Sequence, residues 1–311
     1  MKFTSEMKEI LKYGLHKGTG AALQLFTIMV PVSFAVAVLQ WTGALAVVSA
    51  YLSPVFALVG LPGSCAFAYL SGALLNCYSA IAVMATLPLS GREITILSLM
   101  VLIAHNLPVE VSVQHRAGGR GAVYLVLRLA ASFLSGIVLN RIMPPGVGAG
   151  TIINTAAVIP TSEGISFASM VLNWASGSWV FFLKIFLIVI GLMMITRLLE
   201  RCGIILLLER IISPIRCALG LPRSVSYLWI VANVLGLAYG SAVIIGKKKE
   251  GTISDRDIRL LNASIAVCHS LFEDTVLFAA IGAAVPWIVF PRLIIAAFFV
   301  WIWRFFKKGL D

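Results

Sequence analysis

The sequence predicts an all-α integral membrane protein built from two inverted repeats. About six spanning helices, two re-entrant hairpins and interfacial helices are expected. Three observations carry this. Of 311 residues, 60% are apolar and only 12% are charged, against roughly 45–50% and about 25% in soluble domains. That is too little charge to cover a water-soluble globule. Apolar segments recur at lengths that cross a bilayer, and the chain repeats itself. The same composition excludes disorder, collagen-like repeats and a disulfide scaffold. The net charge of +11 fits Lys- and Arg-rich cytoplasmic loops, and no nucleic-acid partner is expected.

Taken in order, residues 1–18 alternate Lys2, Lys8, Lys12 and Lys17 with Glu6 and Glu9 around Ile10 and Leu11. They read as an amphipathic helix on the membrane surface. No cleavable signal peptide is expected. Segments long enough to cross follow at 19–41, 64–86, 93–112, 121–141, 179–197, 224–246, 258–284 and 286–304, since a span needs ~20 residues. Segments 44–59 and 203–219 each carry a Ser-Pro and read as interfacial helices interrupted by proline. The stretch 142–178, with Pro144-Pro145-Gly146 and no Lys or Arg, is the expected long connection. The five cysteines form no CxxC, and no disulfide framework is indicated.

The repeat is the most informative feature. Ser53-Pro54 and Gly60-Leu61-Pro62 recur as Ser213-Pro214 and Gly220-Leu221-Pro222, an offset of 160. Ser90, Arg92, Glu93-Ile94, His105, Leu107 and Glu110 recur as Ser254, Arg256, Asp257-Ile258, His269, Leu271 and Asp274, an offset of 164. Positive charge then tests the direction of the two copies. With all eight long segments crossing and the amino end inside, 14 Lys and Arg fall inside and 7 outside, and the copies are parallel. With 64–86 and 224–246 entering and returning on one side, the split is 19 to 2 and the copies are inverted. The second arrangement obeys the positive-inside rule far better. Ser71-Gly72 to Asn76 and Asn233 to Gly236 supply helix-weakening centres for the turns. Crossing at 203–219 as well would put Glu209-Arg210 in hydrocarbon, which is costly.

Ionisable groups within spans point to a site. An Asp or Arg at mid-helix costs ~2.5–3.5 kcal/mol on insertion scales, so such groups face a cavity or a partner. Segment 258–284 holds His269, Glu273 and Asp274; segment 93–112 holds His105 and Glu110, with Pro108 expected to kink the helix near His105. In one continuous helix His269 and Glu273 share a face, and Asp274 lies about 100° further round. Inverted copies would bring the two His/acid sets together near mid-bilayer. There they would bind a polar solute or cation, or carry protons, since His titrates near neutral pH. The bland reading is a self-satisfied structural network, with Arg128 paired to Glu110. Asn76 and Asn233 are candidate ligand contacts at the expected turns, or simply turn residues bonding their own backbone. Lys184 is expected to snorkel, and His16 and His115 to be solvated. No P-loop, GxGxxG, HExxH or GxSxG occurs, so no enzyme activity or cofactor is expected. A His/carboxylate pair can ligate a metal, but two such pairs on separate helices are a weak sign, and no metal site is expected.

The order of span, Ser-Pro helix, Gly-Leu-Pro, Asn-bearing hairpin, short charged turn and His-bearing helix resembles the gate, or nucleoside-recognition, domain. That domain occurs in concentrative nucleoside transporters, the membrane part of the bacterial ferrous-iron permease and spore maturation proteins. The resemblance covers 19–112 and again 179–284. It implies an inverted pair of gate-like repeats with re-entrant hairpins. The polar hairpin of the nucleoside transporters has no clear counterpart here, and neither the permease's GTPase domain nor a cysteine-rich gate motif is present. The expected organisation is a first repeat at 1–113, a linking span and loop at 114–160, a second repeat at 161–285, and a terminal span with basic tail at 286–311. A permease for a small polar solute in the cell membrane, with both termini cytoplasmic, is the expected function. Partners would be the bilayer, the solute or ion, and a second copy or membrane subunit. The rival is a non-transporting scaffold or the gate subunit of a larger assembly.

Overall fold

In a computed structural model of the chain, residues 2–148, 166–201, 213–234 and 236–306 are described, and among them the secondary structure is entirely helical. The first half contains α1 (Lys2–Trp41), α2 (Ala44–Ala57), α3 (Cys65–Leu74), α4 (Cys77–Met84), α5 (Gly91–Ala104), α6 (Leu107–Arg116) and α7 (Gly121–Ile142). The second contains α8 (Phe167–Arg201), a 3-10 turn (Arg223–Val225), α9 (Ser226–Val234), α10 (Gly236–Lys249), α11 (Asp255–Ile265), α12 (Glu273–Ala280) and α13 (Val285–Phe306). Residues 213–218 are also helical.

Among the described residues, five helical stretches are long and apolar enough to cross a membrane: Lys12–Trp41, Gly91–Arg116, Gly121–Ile142, Phe167–Leu199 and Val285–Phe305. Large apolar side chains such as Leu23, Leu172, Trp179, Leu187, Ile294 and Phe298 lie exposed on three of them. Hydrocarbon-facing surface needs no polar cover. The protein is a multi-pass membrane protein.

The longest packing seam joins α1 to α8. Gly14 meets Met194, Gly18 meets Ile190, Phe26 meets Phe182, Phe34 meets Trp174, and Trp41 meets Phe167. The partners run in opposite order, so the helices are antiparallel. Here the sequence expectation needs amending: α1 is one helix from Lys2 to Trp41, not a surface helix followed by a span. Gly14 and Gly18 do not break it, because α8 packs directly on the faces they leave bare. Likewise α8 begins at Phe167, inside the stretch expected to be a loop. Helix α2 continues through Pro54 instead of stopping there; one lost donor bends a helix without ending it when neighbouring turns hold. Most of the second Ser-Pro helix, 203–219, lies outside the described residues.

The segment 64–86 folds as two short helices packed on each other. A helix of 10 residues rises only about 15 Å, half the hydrocarbon thickness. At Gly72 an added Cβ would lie 3.0 Å from the Ala80 Cβ; in a straight helix, residues eight apart are ~12 Å from each other. The chain has turned back. In the second half Gly240 and Ala232 make the same approach at 2.9 Å, with the roles of glycine and alanine exchanged at an offset of 160. Asn76 starts α4 by accepting from the Ser79 amide at 2.9 Å. Helix α10 starts at Gly236, φ 81°, a left-handed geometry that glycine adopts without penalty.

Next comes the most deeply buried helix. Ser90 and Glu93 close a reciprocal capping box at the start of α5, and Ser254 accepts from the Asp257 amide at the start of α11. Helix α5 stops at Ala104, just before His105, and α11 stops at Ile265, four residues before His269. The residue after each histidine is left-handed, Asn106 at φ 49° and Ser270 at φ 46°. They are the two positive-φ non-glycine residues among those described. The amides of these residues turn back to the hairpins, Asn106 to the Gly72 carbonyl at 2.9 Å and Ser270 to the Ala232 carbonyl at 3.1 Å. The break near His105 was expected from Pro108. Its centre is Asn106, and Pro108 sits in the first turn of the restarting helix, where its missing N–H costs nothing. The matching break in 258–284 was not expected; that segment is two helices, α11 and α12.

Candidate functional site

Each break leaves backbone carbonyls without helical partners and points a histidine inward. An arginine 23 residues further on caps each break. Arg128, on α7, donates to the carbonyls of Ile103 and His105, both at 2.8 Å. Arg292, on α13, reaches the His269 carbonyl at 3.5 Å and donates to Thr275 Oγ1 at 2.7 Å. Both guanidiniums are fully buried, and the two arginines stand 164 apart, at the repeat offset. Helices α7 and α13 therefore hold equivalent places behind the two histidines.

The histidines meet. His105 Nε2 lies 3.2 Å from His269 Nε2, and Glu110 Oε1 lies 3.1 Å from both. Asp274 Oδ2 is 3.7 Å from His105 Nε2. His105 thus faces the acid of the other half, Asp274, as His269 faces Glu110. The first half adds an ion pair of Arg128 with Glu110 Oε2 at 2.5 Å, as the sequence suggested. All four side chains are buried, as is the thiol of Cys77, whose sulfur lies within 4.8 Å of the His105 and Asp274 donor atoms. Each histidine turns its Nδ1 to a backbone carbonyl: His269 to Ile265 at 2.8 Å, His105 to Leu102 at 3.2 Å and Val101 at 3.3 Å.

Of the residues singled out by sequence, His105, Glu110, His269 and Asp274 converge. Glu273 does not join them; its Oε1 accepts from the Tyr78 hydroxyl at 3.1 Å, tying α12 to the first hairpin. His269 and Glu273 would share a face only in one continuous helix, and the break at Ser270 separates them, because the 100° phase does not carry across a non-helical residue. Asn76 and Asn233 are not hydrogen-bonded to the cluster. Asn76 Oδ1 is held by its cap, and Asn233 donates to the Trp229 carbonyl at 2.9 Å. Lys184 does not snorkel; its ammonium binds the Ala280 carbonyl at the end of α12. Sequence reasoning overlooked Cys77, Tyr78 and Arg292. For Arg292 the signal was available, since it follows its histidine at the same distance as Arg128. Cys77 and Tyr78 carry no such sign.

These features define an all-helical, multi-pass membrane protein with a buried centre of histidines and carboxylates contributed by both halves. The Gate family, described as nucleoside recognition, matches residues 22–113. The uncharacterised membrane protein YvoD of Bacillus subtilis is 32% identical over 289 residues, covering 93% of this chain and 91% of its own length. The chain belongs to this family of Gate-domain membrane proteins. No solved structure matches it. Membership points to a role related to membrane transport.

Proposed function

We propose that the chain is a permease for a small polar or cationic solute, working by alternating access between two inverted gate-like repeats in the cell membrane. The observation that carries this is the centre itself. The halves each contribute a histidine and a carboxylate to one buried point, at matching places in the two copies. Packed transporter halves bind solute where the copies meet, and intramembrane ionisable residues mark solute or proton paths.

Neighbouring contacts favour the inverted arrangement. Tyr13 packs under Arg197, Gly118 meets Lys248, and Arg304 donates to the Gly220 carbonyl. In each pair the parallel arrangement would put the two residues on opposite faces of the membrane, and the inverted one puts them together. With both termini cytoplasmic, these pairs all lie on the cytoplasmic side. The antiparallel course of α1 and α8, the first helices of the two copies, agrees.

Flux into vesicles containing the purified chain tests the proposal. Solute- or proton-dependent flux should be abolished by His269→Ala and by Asp274→Asn with folding retained. Flux unchanged in both variants would favour a scaffold or a gate subunit of a larger assembly. A thermal-shift screen of nucleosides, bases, divalent metals and organic acids identifies the solute.

A further inference from the structure

We infer that the central cluster is a binding site for a first-row divalent transition-metal cation, ligated by His105 Nε2, His269 Nε2 and Glu110 Oε1, with Asp274 and Cys77 beside His105 as further donors. That the ion is also the carried solute rests on the permease reading above. In the sequence, two His/acid pairs on separate helices are only a weak sign of a metal; the geometry supplies what spacing did not.

A backbone carbonyl only accepts hydrogen bonds. The Nδ1 of His269 faces the Ile265 carbonyl, and that of His105 faces the Val101 and Leu102 carbonyls. This holds the proton of each neutral imidazole on Nδ1 and leaves a lone pair on Nε2. Both Nε2 atoms and Glu110 Oε1 then aim lone pairs at one point, in a triangle with edges of 3.1, 3.1 and 3.2 Å. Three such lone pairs repel one another unless a cation lies between them. The triangle has the right size: two ligands of a tetrahedral ion with bonds of about 2.0–2.1 Å lie ~3.3 Å apart.

The surroundings fit as well. Metal-binding histidines characteristically give their other N–H to a carbonyl or carboxylate, which fixes the ring. Arg128 holds Glu110 Oε2, so that Oε1 is the oxygen turned inward. Asp274 Oδ2 is buried without a hydrogen-bond partner, a costly state for an acceptor that a fourth ligand position would relieve. Imidazole, carboxylate and thiol together suit a borderline-soft cation, not Mg²⁺ or Ca²⁺, which take oxygen ligands. A proton on one imidazole is the competing occupant of the same lone pairs, so metal affinity should fall with pH.

The test uses the full chain, purified in detergent and stripped with chelator. It is titrated with Co²⁺, whose visible absorption reports tetrahedral coordination, and then with Zn²⁺ in competition. One Co²⁺ per chain, displaced by Zn²⁺ and weakened about 100-fold or more in His105→Ala and His269→Ala, is the expected result. Wild-type protein alone keeps the test independent of how the variants fold. A wild-type chain that takes up neither ion at micromolar concentration overturns the inference, and so does equal uptake by the double histidine variant. Zn²⁺ flux in vesicles separates the two readings. Stoichiometric binding without flux leaves the site standing and removes the permease; flux of another solute by a chain that binds no metal does the reverse.

Discussion

Replacing Arg128 probes the architecture of the centre most directly, because this one side chain does two separable jobs. It donates to two carbonyls freed by the helix break, and it neutralises Glu110. Arg128→Ala leaves both carbonyls buried and unpaired, at about 1–3 kcal/mol each. It also leaves a buried carboxylate without its partner, about 3–5 kcal/mol more. The loss, on the order of 5 kcal/mol or greater, is comparable to the whole stability of many folded domains. Arg128→Leu with Glu110→Leu removes the charge penalty but not the carbonyl penalty, so it should recover roughly 3–5 kcal/mol relative to Arg128→Leu alone. Arg128→Lys keeps the charge but loses the planar fork, orphaning at least one carbonyl at about 1–3 kcal/mol. Thermal unfolding in detergent, followed by the loss of monodisperse protein, should rank wild type first, then Arg128→Lys, with Arg128→Ala last and the double variant above Arg128→Leu. Wild-type stability in Arg128→Ala, or a double variant no better than Arg128→Leu, would refute the two-part account.

Other variants follow from the breaks, the hairpins and the orientation. Ser270→Gly should raise thermal stability by up to about 1 kcal/mol, by relieving a left-handed serine, while Asn106→Val should lower it by about 1–2 kcal/mol or more; a fall in the first or no change in the second counts against strain at the breaks. Gly72→Leu should open the first hairpin, because its Cβ would press on Val101 Cγ1 at 2.9 Å and Ala80 Cβ at 3.0 Å, at about 1–3 kcal/mol; limited proteolysis of wild type and variant reads the opening. Impermeant labelling of cysteines placed at Arg92 and at Lys248 should occur from opposite faces, and labelling of both from one face removes the inverted arrangement.

Much of the fold is legible in the chain. Ser90 with Glu93, and Ser254 with Asp257, announce where α5 and α11 begin, since capping depends on a few adjacent residues. Pro108 flags the first break. The second has no proline, and Ser270 is not a residue whose identity demands a left-handed backbone, so 258–284 reads as one helix until the structure shows otherwise. The charge pattern of 1–18 reads as a separate surface helix, yet α1 runs on unbroken, with Gly14 and Gly18 forming the contact with α8, because a bare face invites close packing when a partner lies alongside.

Composition and spacing by themselves determined that this chain lives in a membrane and where α5 and α11 begin, because insertion and capping are properties of local sequence. Which titratable groups touch was decided only by the tertiary structure. His105 and His269 are separated by 164 residues and meet only because two broken helices, each capped by an arginine from a later one, point inward at the same depth. Whether Glu273 or Asp274 joins them depends on the rotation of α12 after a single left-handed residue, a rotation that no helical periodicity carries across the break.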